Sequence, residues 1–274
     1  YGLPKALQTD LDQDLFVRVS TGFVEKLRQK GFEDATGAPL TLKQEIAQEA
    51  RRQHFLTGSL QPSDSGVTVR TELRETETGD LMQARTVTGS SVLDVADRIS
   101  VQLRKDLDIP SAHLQQTEDL PASELTTRSP KAFRAYAKGL AAWKIQNDLD
   151  AGQQALEKAV GLDSTFALAQ WRLFSVYGQQ NRSAKAEAAI SAAMEHHYKL
   201  PLRYQFGVKD SFYSWTQQPD KRLEVAKMRV EFYPEDVEAH LRLAGLYQQR
   251  NRNEAALRQY RRVLEIAPDP EGDG

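Results

Sequence analysis

The sequence contains no cysteine. This absence excludes disulfide bonds, thiol catalysis and thiolate metal sites, while it is compatible with both the cytosol and the periplasm. No apolar run approaches the length of about 18 residues that suggests a transmembrane helix. The net charge is −2 at pH 7, so the chain lacks the excess of Lys and Arg that favours binding to nucleic acid or to an anionic membrane surface.

Signatures of catalysis are missing as well. The sequence has no G-x-x-x-x-G-K-[ST] or G-x-G-x-x-G loop for phosphate binding. It also lacks the H-R-D and D-F-G motifs of protein kinases. We therefore predict that this chain is not an enzyme and binds no cofactor.

Two patterns could suggest a metal site. Asp10, Asp12 and Asp14 imitate the start of a calcium loop, but Leu15 and Thr21 replace the glycine and the glutamate that such a loop requires. His196 and His197 are adjacent, and neighbouring side chains on a helix point about 100° apart. We predict no metal site, and we interpret the three aspartates as a solvated helix end.

The C-terminal half, residues 129–268, repeats one pattern of apolar and small residues. In the last unit these are His240, Leu243, Ala244, Tyr247, Ala256, Tyr260, Val263 and Pro268. Steps of 34, 36 and 34 residues back from Pro268 reach Pro234, Tyr198 and Ser164. The spacing resembles the roughly 34-residue tetratricopeptide repeat (TPR), which is a helical hairpin.

Four such units predict an all-α TPR superhelix, because one hairpin cannot bury its own apolar face and must stack on neighbours. Small residues such as Gly139 and Gly152 are expected where two helices cross closely. Ser129-Pro130 predicts the start of the first helix. Ser164 stands where the repeat usually has proline, so Asp163 and Ser164 are expected to end the helix there. His240 is expected in the core.

The N-terminal part, residues 1–109, predicts an α+β domain. Leucines at every fourth position from Leu3 to Leu15 indicate a first helix, and residues 15–19 a short strand. A second helix is expected to end at Gly31, and a third to begin with a capping box of Thr41 and Gln44.

Three strands, 54–60, 67–73 and 81–88, should follow as an antiparallel meander. Ser91 with Asp94 then caps a helix over 92–107. We also expect an edge strand upstream of Tyr1. Residues 110–128 are predicted to be a linker with a short helical turn around 112–116, and residues 269–274 a frayed tail.

The order of these pieces resembles a C-terminal region of bacterial transmembrane Ser/Thr protein kinases, also found in winged-helix regulators and adenylate cyclases. There, an α/β domain similar to the TolB N-terminal domain and to FlgO, with a mixed sheet, precedes TPR repeats. The residues that carry the likeness include 55–60, 67–73, 129–133, 162–169, 232–236 and 243–247. The resemblance implies an extracytoplasmic position beside the inner membrane and a membrane-anchored parent protein.

The repeat register predicts which side chains face the concave groove. The candidate groove residues are Phe133, Tyr136, Trp143, Trp171, Tyr204, Trp215 and Leu241, and the same register adds Leu168, Ser211, Glu238 and Gln248. Partly exposed aromatic side chains are favoured anchors at protein interfaces. They indicate a groove for an apolar or aromatic peptide. The alternative is that these rings fill gaps between irregular repeats or touch the linker.

Two functions are compatible with this reading. The first is a non-catalytic sensing module that binds a protein or peptide in the TPR groove, with the α/β domain as a second docking surface or a homodimer contact. The second is a scaffold of the cell envelope with no sensing role.

Overall fold

The computed structural model describes residues 2–14, 17, 19–20, 22–32, 37–110 and 119–267. The N-terminal part contains helices α1 (Gly2–Leu11), α2 (Phe23–Gln29), α3 (Leu40–Glu49) and α4 (Val92–Asp106) and strands β1 (His54–Ser63), β2 (Gly66–Glu75) and β3 (Leu81–Gly89). The C-terminal part contains α5 (Ala122–Leu125), α6 (Pro130–Lys144), α7 (Leu149–Leu162), α8 (Ala167–Gln179), α9 (Ser183–Glu195), a 3-10 turn (His197–Lys199), α10 (Leu202–Trp215), α11 (Pro219–Phe232), α12 (Val237–Gln248) and α13 (Asn253–Ile266).

The three strands form an antiparallel sheet in the order β1-β2-β3. Val69, Thr71 and Leu73 alternate along β2 and are buried against α4, while Arg70 between them is exposed. The meander expected from the sequence is therefore confirmed. The mixed sheet that the resemblance implied does not occur within the described residues, where every strand pair is antiparallel.

Most of the helix ends predicted from the sequence occur in the structure. Gly31 adopts a left-handed φ of 89° just after α2, and Ser91 Oγ accepts the backbone N–H of Asp94 at 3.2 Å. The prediction that Thr41 and Gln44 form a capping box was wrong, because the N-cap of α3 is Pro39, two residues before Thr41, and no side chain caps the helix. The amide of Gln44 instead donates to the carbonyl oxygens of Thr76 and Glu77 and joins α3 to the turn after β2.

Some N-terminal predictions lie wholly or partly outside the described residues. The predicted strand over 15–19 includes only two described residues, Val17 and Val19, and neither is in a strand. The helical turn around 112–116 and the tail 269–274 lie entirely outside the described ranges.

The C-terminal half is a row of four helical hairpins, α6–α7, α8–α9, α10–α11 and α12–α13. One residue with positive φ occupies each hairpin turn: Asn147, Asn181, Gln217 and Asn251, which are 34, 36 and 34 residues apart. These steps match those read from the sequence. Asparagine adopts the left-handed backbone conformation more readily than most residues. The turn residues therefore mark the same repeat register as the core residues.

Close helix crossings occur where the sequence placed glycine. A Cβ on Gly139 would lie 2.8 Å from Cγ of Leu156, and one on Gly152 would lie 2.9 Å from Cβ of Trp143. Helix α7 ends at Leu162, and the Asp163 carboxylate accepts the N–H and hydroxyl of Thr165. The predicted termination by Asp163 is confirmed.

The two parts share one core. A continuous cluster of buried side chains runs from Leu7 in α1 through Ile99 in α4 to Tyr136 and Val208 in the hairpins. Helix α1 packs against α4, α5 and α6. The second half of the predicted linker, residues 119–128, is packed as well, with Ala122 and Leu125 almost completely buried. In the described part of the chain, no helix is both long enough and apolar enough to cross a membrane.

Candidate functional site

A cleft of about 830 Å³ opens between the N-terminal segment and the last two hairpins. Residues of α10, α11 and α12 line it, together with Trp171 of α8. The N-terminal part contributes Gln8, Asp12, Val19 and Arg52 to the same cleft. The concave surface of the repeat array is therefore partly covered by the chain itself, and the free space lies over hairpins three and four.

Trp171 and Tyr204 form an aromatic pair in the cleft. Their ring centroids are 6.4 Å apart in an edge-to-face arrangement, a geometry that aromatic pairs favour. The indole N–H of Trp171 donates to Ser211 Oγ at 3.0 Å. The pair is thereby fixed between α8 and α10, while both residues stay partly exposed.

Helix α12 presents an apolar, uncrowded wall. Leu241 is 44% exposed, and a Cβ on Gly245 would meet no atom within 4 Å. Both residues line the cleft. This wall can accept an apolar side chain without any rearrangement of the core.

One end of the cleft holds an ion-pair cluster around Asp236. Its carboxylate accepts Arg203 Nη1 at 2.7 Å and Arg229 Nη2 at 3.4 Å, and it also caps α12 by accepting the backbone N–H of Glu238 at 3.0 Å. Glu238, whose side chain is 80% exposed, pairs with Arg229 at 3.2 Å. Both arginines are thus neutralised by neighbouring carboxylates.

A second cluster of ion pairs in the cleft is balanced in the same way. Asp210 on α10 accepts Arg222 Nε at 2.9 Å and also pairs with Arg242 of α12. The cleft contains four arginines and four acidic residues among its lining side chains: Arg52, Arg203, Arg229, Arg242, Asp12, Asp210, Asp236 and Glu238. Since these charges cancel, the cleft has no strong preference for a ligand of one sign.

Asp12 connects the N-terminal segment to the third hairpin. Its carboxylate accepts the hydroxyl of Tyr204 and faces Arg203. Burial raises the pKa of Asp12 to about 6, although the Tyr204 hydrogen bond and Arg203 oppose the rise. Burial and the nearby Asp12 also raise the pKa of Tyr204 well above its ordinary value. The cleft wall therefore depends on a contact made by both parts of the chain.

The structure divides the predicted groove residues into two sets. Trp171, Tyr204 and Leu241 line the cleft. Phe133, Tyr136 and Trp143 are buried, with exposed fractions of 4%, 2% and 8%, so in this conformation they pack in the core. Tyr136 stacks near Phe166 at 5.0 Å between centroids, and Phe133 lies beside Gly2 of α1.

The remaining register positions divide in the same manner. Ser211 and Glu238 line the cleft, whereas Leu168 is buried. Trp215 packs edge-on against Phe174 at 5.5 Å and is not among the cleft residues. The Gln248 side chain accepts the Tyr260 hydroxyl. Packing between repeats thus buries part of the predicted aromatic set, while Trp171 and Tyr204 line the cleft.

The interpretation of Asp10, Asp12 and Asp14 as a solvated helix end was wrong. All three are buried, with exposed fractions of 2%, 4% and 3%, because Arg104 pairs with Asp10 and Asp14 while Tyr204 bonds Asp12. Within the described ranges, no group of three or more His, Cys, Asp or Glu side chains could hold a metal ion.

His240 is a core residue, as the sequence predicted. It is 5% exposed. Its Nε2–H donates to the carbonyl of Pro234 at 3.0 Å, so this histidine joins α12 to the preceding turn.

Sequence reasoning missed the ionic residues of the cleft and the contribution of the N-terminal segment. One signal was available for Asp236, because aspartate directly before a helix is a favoured cap. The approach of Gln8, Asp12 and Arg52 to the hairpins left no periodic signal, since it depends on how two parts of the chain pack.

Comparison with known proteins concerns the repeats. Residues 237–270 match the family model of the tetratricopeptide repeat. No curated protein sequence matches the chain. Among solved structures, YrrB, a TPR protein with an unusual peptide-binding site, is 21% identical with a TM-score of 0.41, over 50% of this chain and 69% of YrrB.

Two structures of MamA are also similar. One is 17% identical with a TM-score of 0.40, over 64% of this chain and 88% of that one. The other, MamA 41-end from Desulfovibrio magneticus RS-1, is 16% identical with a TM-score of 0.42, over 64% and 95%. The family match thus places a tetratricopeptide repeat in the last hairpin of the chain.

Proposed function

We propose that this chain is a non-catalytic interaction module that binds an extended peptide segment of a partner protein in the cleft between α10, α12 and the N-terminal segment. The observation that carries this proposal is the combination of an exposed apolar wall at Leu241 and Gly245 with the fixed aromatic pair of Trp171 and Tyr204. Buried apolar anchors dominate the energy of most protein interfaces.

The size and charge of the cleft narrow the class of ligand. Its volume of 830 Å³ lies within the range of about 300–1,000 Å³ typical of ligand sites. Because acidic and basic lining residues are balanced, charge steering contributes little, and binding should depend weakly on ionic strength. We infer a peptide that places an apolar or aromatic side chain against Leu241 and hydrogen-bonds to the polar residues of the cleft.

The finer role that we propose is sensing, as the extracytoplasmic, C-terminal part of a bacterial membrane signalling protein such as a Ser/Thr kinase. The support for this role is the resemblance in the order of an α/β domain and TPR repeats. A homodimer contact through the α/β domain also stays a prediction. A scaffold of the cell envelope would use the same cleft without a signalling output.

A selection from a displayed library of random peptides tests the cleft. Peptides that bind the full chain are synthesised, and their affinities are measured by calorimetry for the wild type and for Gly245→Trp. The indole at position 245 should fill the cleft without displacing any core atom, since a Cβ there meets nothing within 4 Å. We expect affinity to fall at least about tenfold, the loss expected for about 1.4 kcal/mol of contact energy.

Gly178→Trp is the matched control. Gly178 lies on α8, is exposed, and also has no atom within 4 Å of an added Cβ. It should leave peptide affinity unchanged. Selected peptides that bind Gly245→Trp as tightly as the wild type would contradict the assignment of the cleft, and a library without binders would contradict peptide binding itself.

A further inference from the structure

Strand β1 forms one edge of the sheet and leaves its outer side open. It pairs with β2, and no other strand of the described residues lies beside it. Gly58 in the middle of β1 is exposed, and because glycine has no side chain, this exposure belongs to the main chain. The ten residues 54–63 include no Asp, Glu, Lys or Arg. Strand β1 therefore lacks the charged side chains that commonly protect an edge strand from pairing.

The main-chain groups of alternate residues in β1 point to this open side. Just before β1, the carbonyl of Gln53 accepts the backbone N–H of Thr76, the residue that follows β2, at 2.9 Å. The hydrogen-bonding direction alternates along an antiparallel strand, so the odd-numbered residues of β1 bond to β2. The N–H and C=O groups of Leu56, Gly58 and Leu60 therefore point away from the sheet, towards the position of a further strand.

The opposite edge of the sheet is protected by α4. Arg98 Nη1 of α4 donates to the carbonyl of Thr88 in β3 at 3.2 Å. Arg85 of β3 is directed towards α4 and donates through Nε to the Asp106 carboxylate at 3.2 Å. Covered main-chain groups and inward-pointing charges of this kind discourage the addition of a strand. A further strand can thus add to the sheet more readily at β1 than at β3.

The apolar side chains of β1 are complementary to a second copy of the same strand. Leu56 and Leu60 lie opposite Leu73 and Val69 of β2, on the face that α4 covers. Helix α4 packs on β3 and β2, and Leu60 stays 44% exposed beside it. When two β1 strands pair antiparallel with Gly58 opposite Gly58, Leu56 of each copy lies opposite Leu60 of the other. The leucines of the two copies then cover one another.

The charges at the two ends of β1 favour the same arrangement. Arg52 precedes the strand, Asp64 follows it, and both are exposed. They are equally far from Gly58 in the sequence, so antiparallel pairing centred on Gly58 places Arg52 of each copy beside Asp64 of the other. A parallel pair in the same register would instead bring like charges together. Opposite charges across a strand pair stabilise it, and like charges destabilise it.

We propose that two copies of this chain associate through β1, in an antiparallel strand pair centred on Gly58 that joins their two sheets into one. In this register, Leu56, Gly58 and Leu60 exchange main-chain hydrogen bonds with Leu60, Gly58 and Leu56 of the second copy. Pro62 lies opposite His54, outside these pairs, so its missing N–H removes no bond from them. The proposal specifies the homodimer contact expected of the α/β domain, and it does not depend on peptide binding in the cleft.

Sedimentation equilibrium of the full chain tests the association. The wild type should form a dimer in a concentration-dependent manner. Leu60→Lys should raise the dissociation constant at least about tenfold, because it places a charge where leucines of the two copies meet. Leu81→Lys is the matched control, since Leu81 is a leucine of β3 that is 49% exposed, and it should leave the dissociation constant unchanged. Circular dichroism checks that each variant is folded.

Cysteine cross-linking tests the register, since the chain has no cysteine of its own. In the proposed pair, Thr57 lies opposite Ser59 of the second copy at a position without main-chain hydrogen bonds, where Cα atoms are about 4.5 Å apart and a disulfide can form. An equal mixture of Thr57→Cys and Ser59→Cys chains should therefore give a disulfide-linked dimer under mild oxidation. Either variant alone should give several-fold less, because its two cysteines are offset by two residues along the strands.

Three results would overturn the proposal. The first is a wild-type chain that stays monomeric up to about 1 mM, which would leave the edge to a different strand, such as the one expected upstream of Tyr1. The second is a dimer that Leu60→Lys weakens no more than Leu81→Lys does. The third is equal cross-linking in the mixture and in the separate variants. None of these substitutions changes a residue that lines the cleft, so failure of this proposal is distinguishable from failure of peptide binding.

Discussion

The indole of Trp171 lies directly on the backbone of Gly207. A Cβ at position 207 would be 2.5 Å from Cη2 of the ring and 2.8 Å from Cζ2. Because Gly207 of α10 has no side chain, the second and third hairpins approach closely enough for the Trp171 N–H to reach Ser211. The aromatic pair of the cleft depends on this glycine.

Gly207→Ala should destabilise the protein. The added methyl group must displace Trp171, and such overpacking costs about 1–3 kcal/mol. Chemical denaturation should show a lower free energy of unfolding, with a changed tryptophan emission spectrum. Gly245→Ala is the control in the same cleft, where open space leaves only the gain in helix propensity of about 0.5–1 kcal/mol. Equal effects of the two substitutions would contradict the packing described for Trp171.

Asp236→Ala should be strongly destabilising. It removes the cap of α12 and leaves Arg203 and Arg229, whose side chains are 17% and 14% exposed, without that carboxylate. We expect a loss of about 2–4 kcal/mol in the free energy of unfolding. Asp220→Ala, at a side chain that is 97% exposed, should give no measurable change.

Asp236→Asn separates the two roles of that residue. Asparagine caps helices about as well as aspartate, so the cap is kept while the charge is lost. Thermal unfolding should place this variant between the wild type and Asp236→Ala. A variant as stable as the wild type would show that the negative charge of Asp236 beside Arg203 and Arg229 does not contribute to stability.

Asp12 should make stability depend on pH. Its folded pKa of about 6 exceeds the ordinary 3.8, so the folded state binds the proton more tightly and loses stability as the pH rises from about 4 to 6. Asp12→Asn cannot ionise and should raise the free energy of unfolding by about 1–3 kcal/mol at pH 8, with little change near pH 4. Denaturation curves of the wild type and the variant at pH 4 and pH 8 measure this difference in the free energy of unfolding. A difference of the same size at both pH values would rule out ionisation as its cause.

Iodide quenching should distinguish the three tryptophans. Trp143 is 8% exposed, whereas Trp171 and Trp215 are partly exposed. Trp143→Phe should therefore retain the quenchable part of the fluorescence, and Trp171→Phe should lose part of it. If neither wild-type nor variant fluorescence is quenched, Trp171 is not accessible from solvent and the proposed cleft loses its aromatic anchor.

Much of the fold could be predicted from local patterns. The alternation along β2 and the repeat register of the hairpins are properties of short segments, because period 2 and the hairpin spacing follow from backbone geometry. The lining of the cleft was harder to predict from the sequence. The register predicts that both Trp143 and Trp171 face the groove, but Trp143 meets Gly152 and is buried, while Trp171 meets Gly207 and stays partly exposed.

The sequence by itself determined the register of the hairpins and the glycines, Gly139 and Gly152, at which helices cross, since each depends on residues close together in the chain. Only the tertiary structure decided what covers the concave surface. Asp10 and Asp12 look like solvated helix-end residues in the sequence, and they are buried because α4 and α10 bring Arg104 and Tyr204 to them. Contacts between distant segments depend on how both parts of the chain pack together, which no local pattern records.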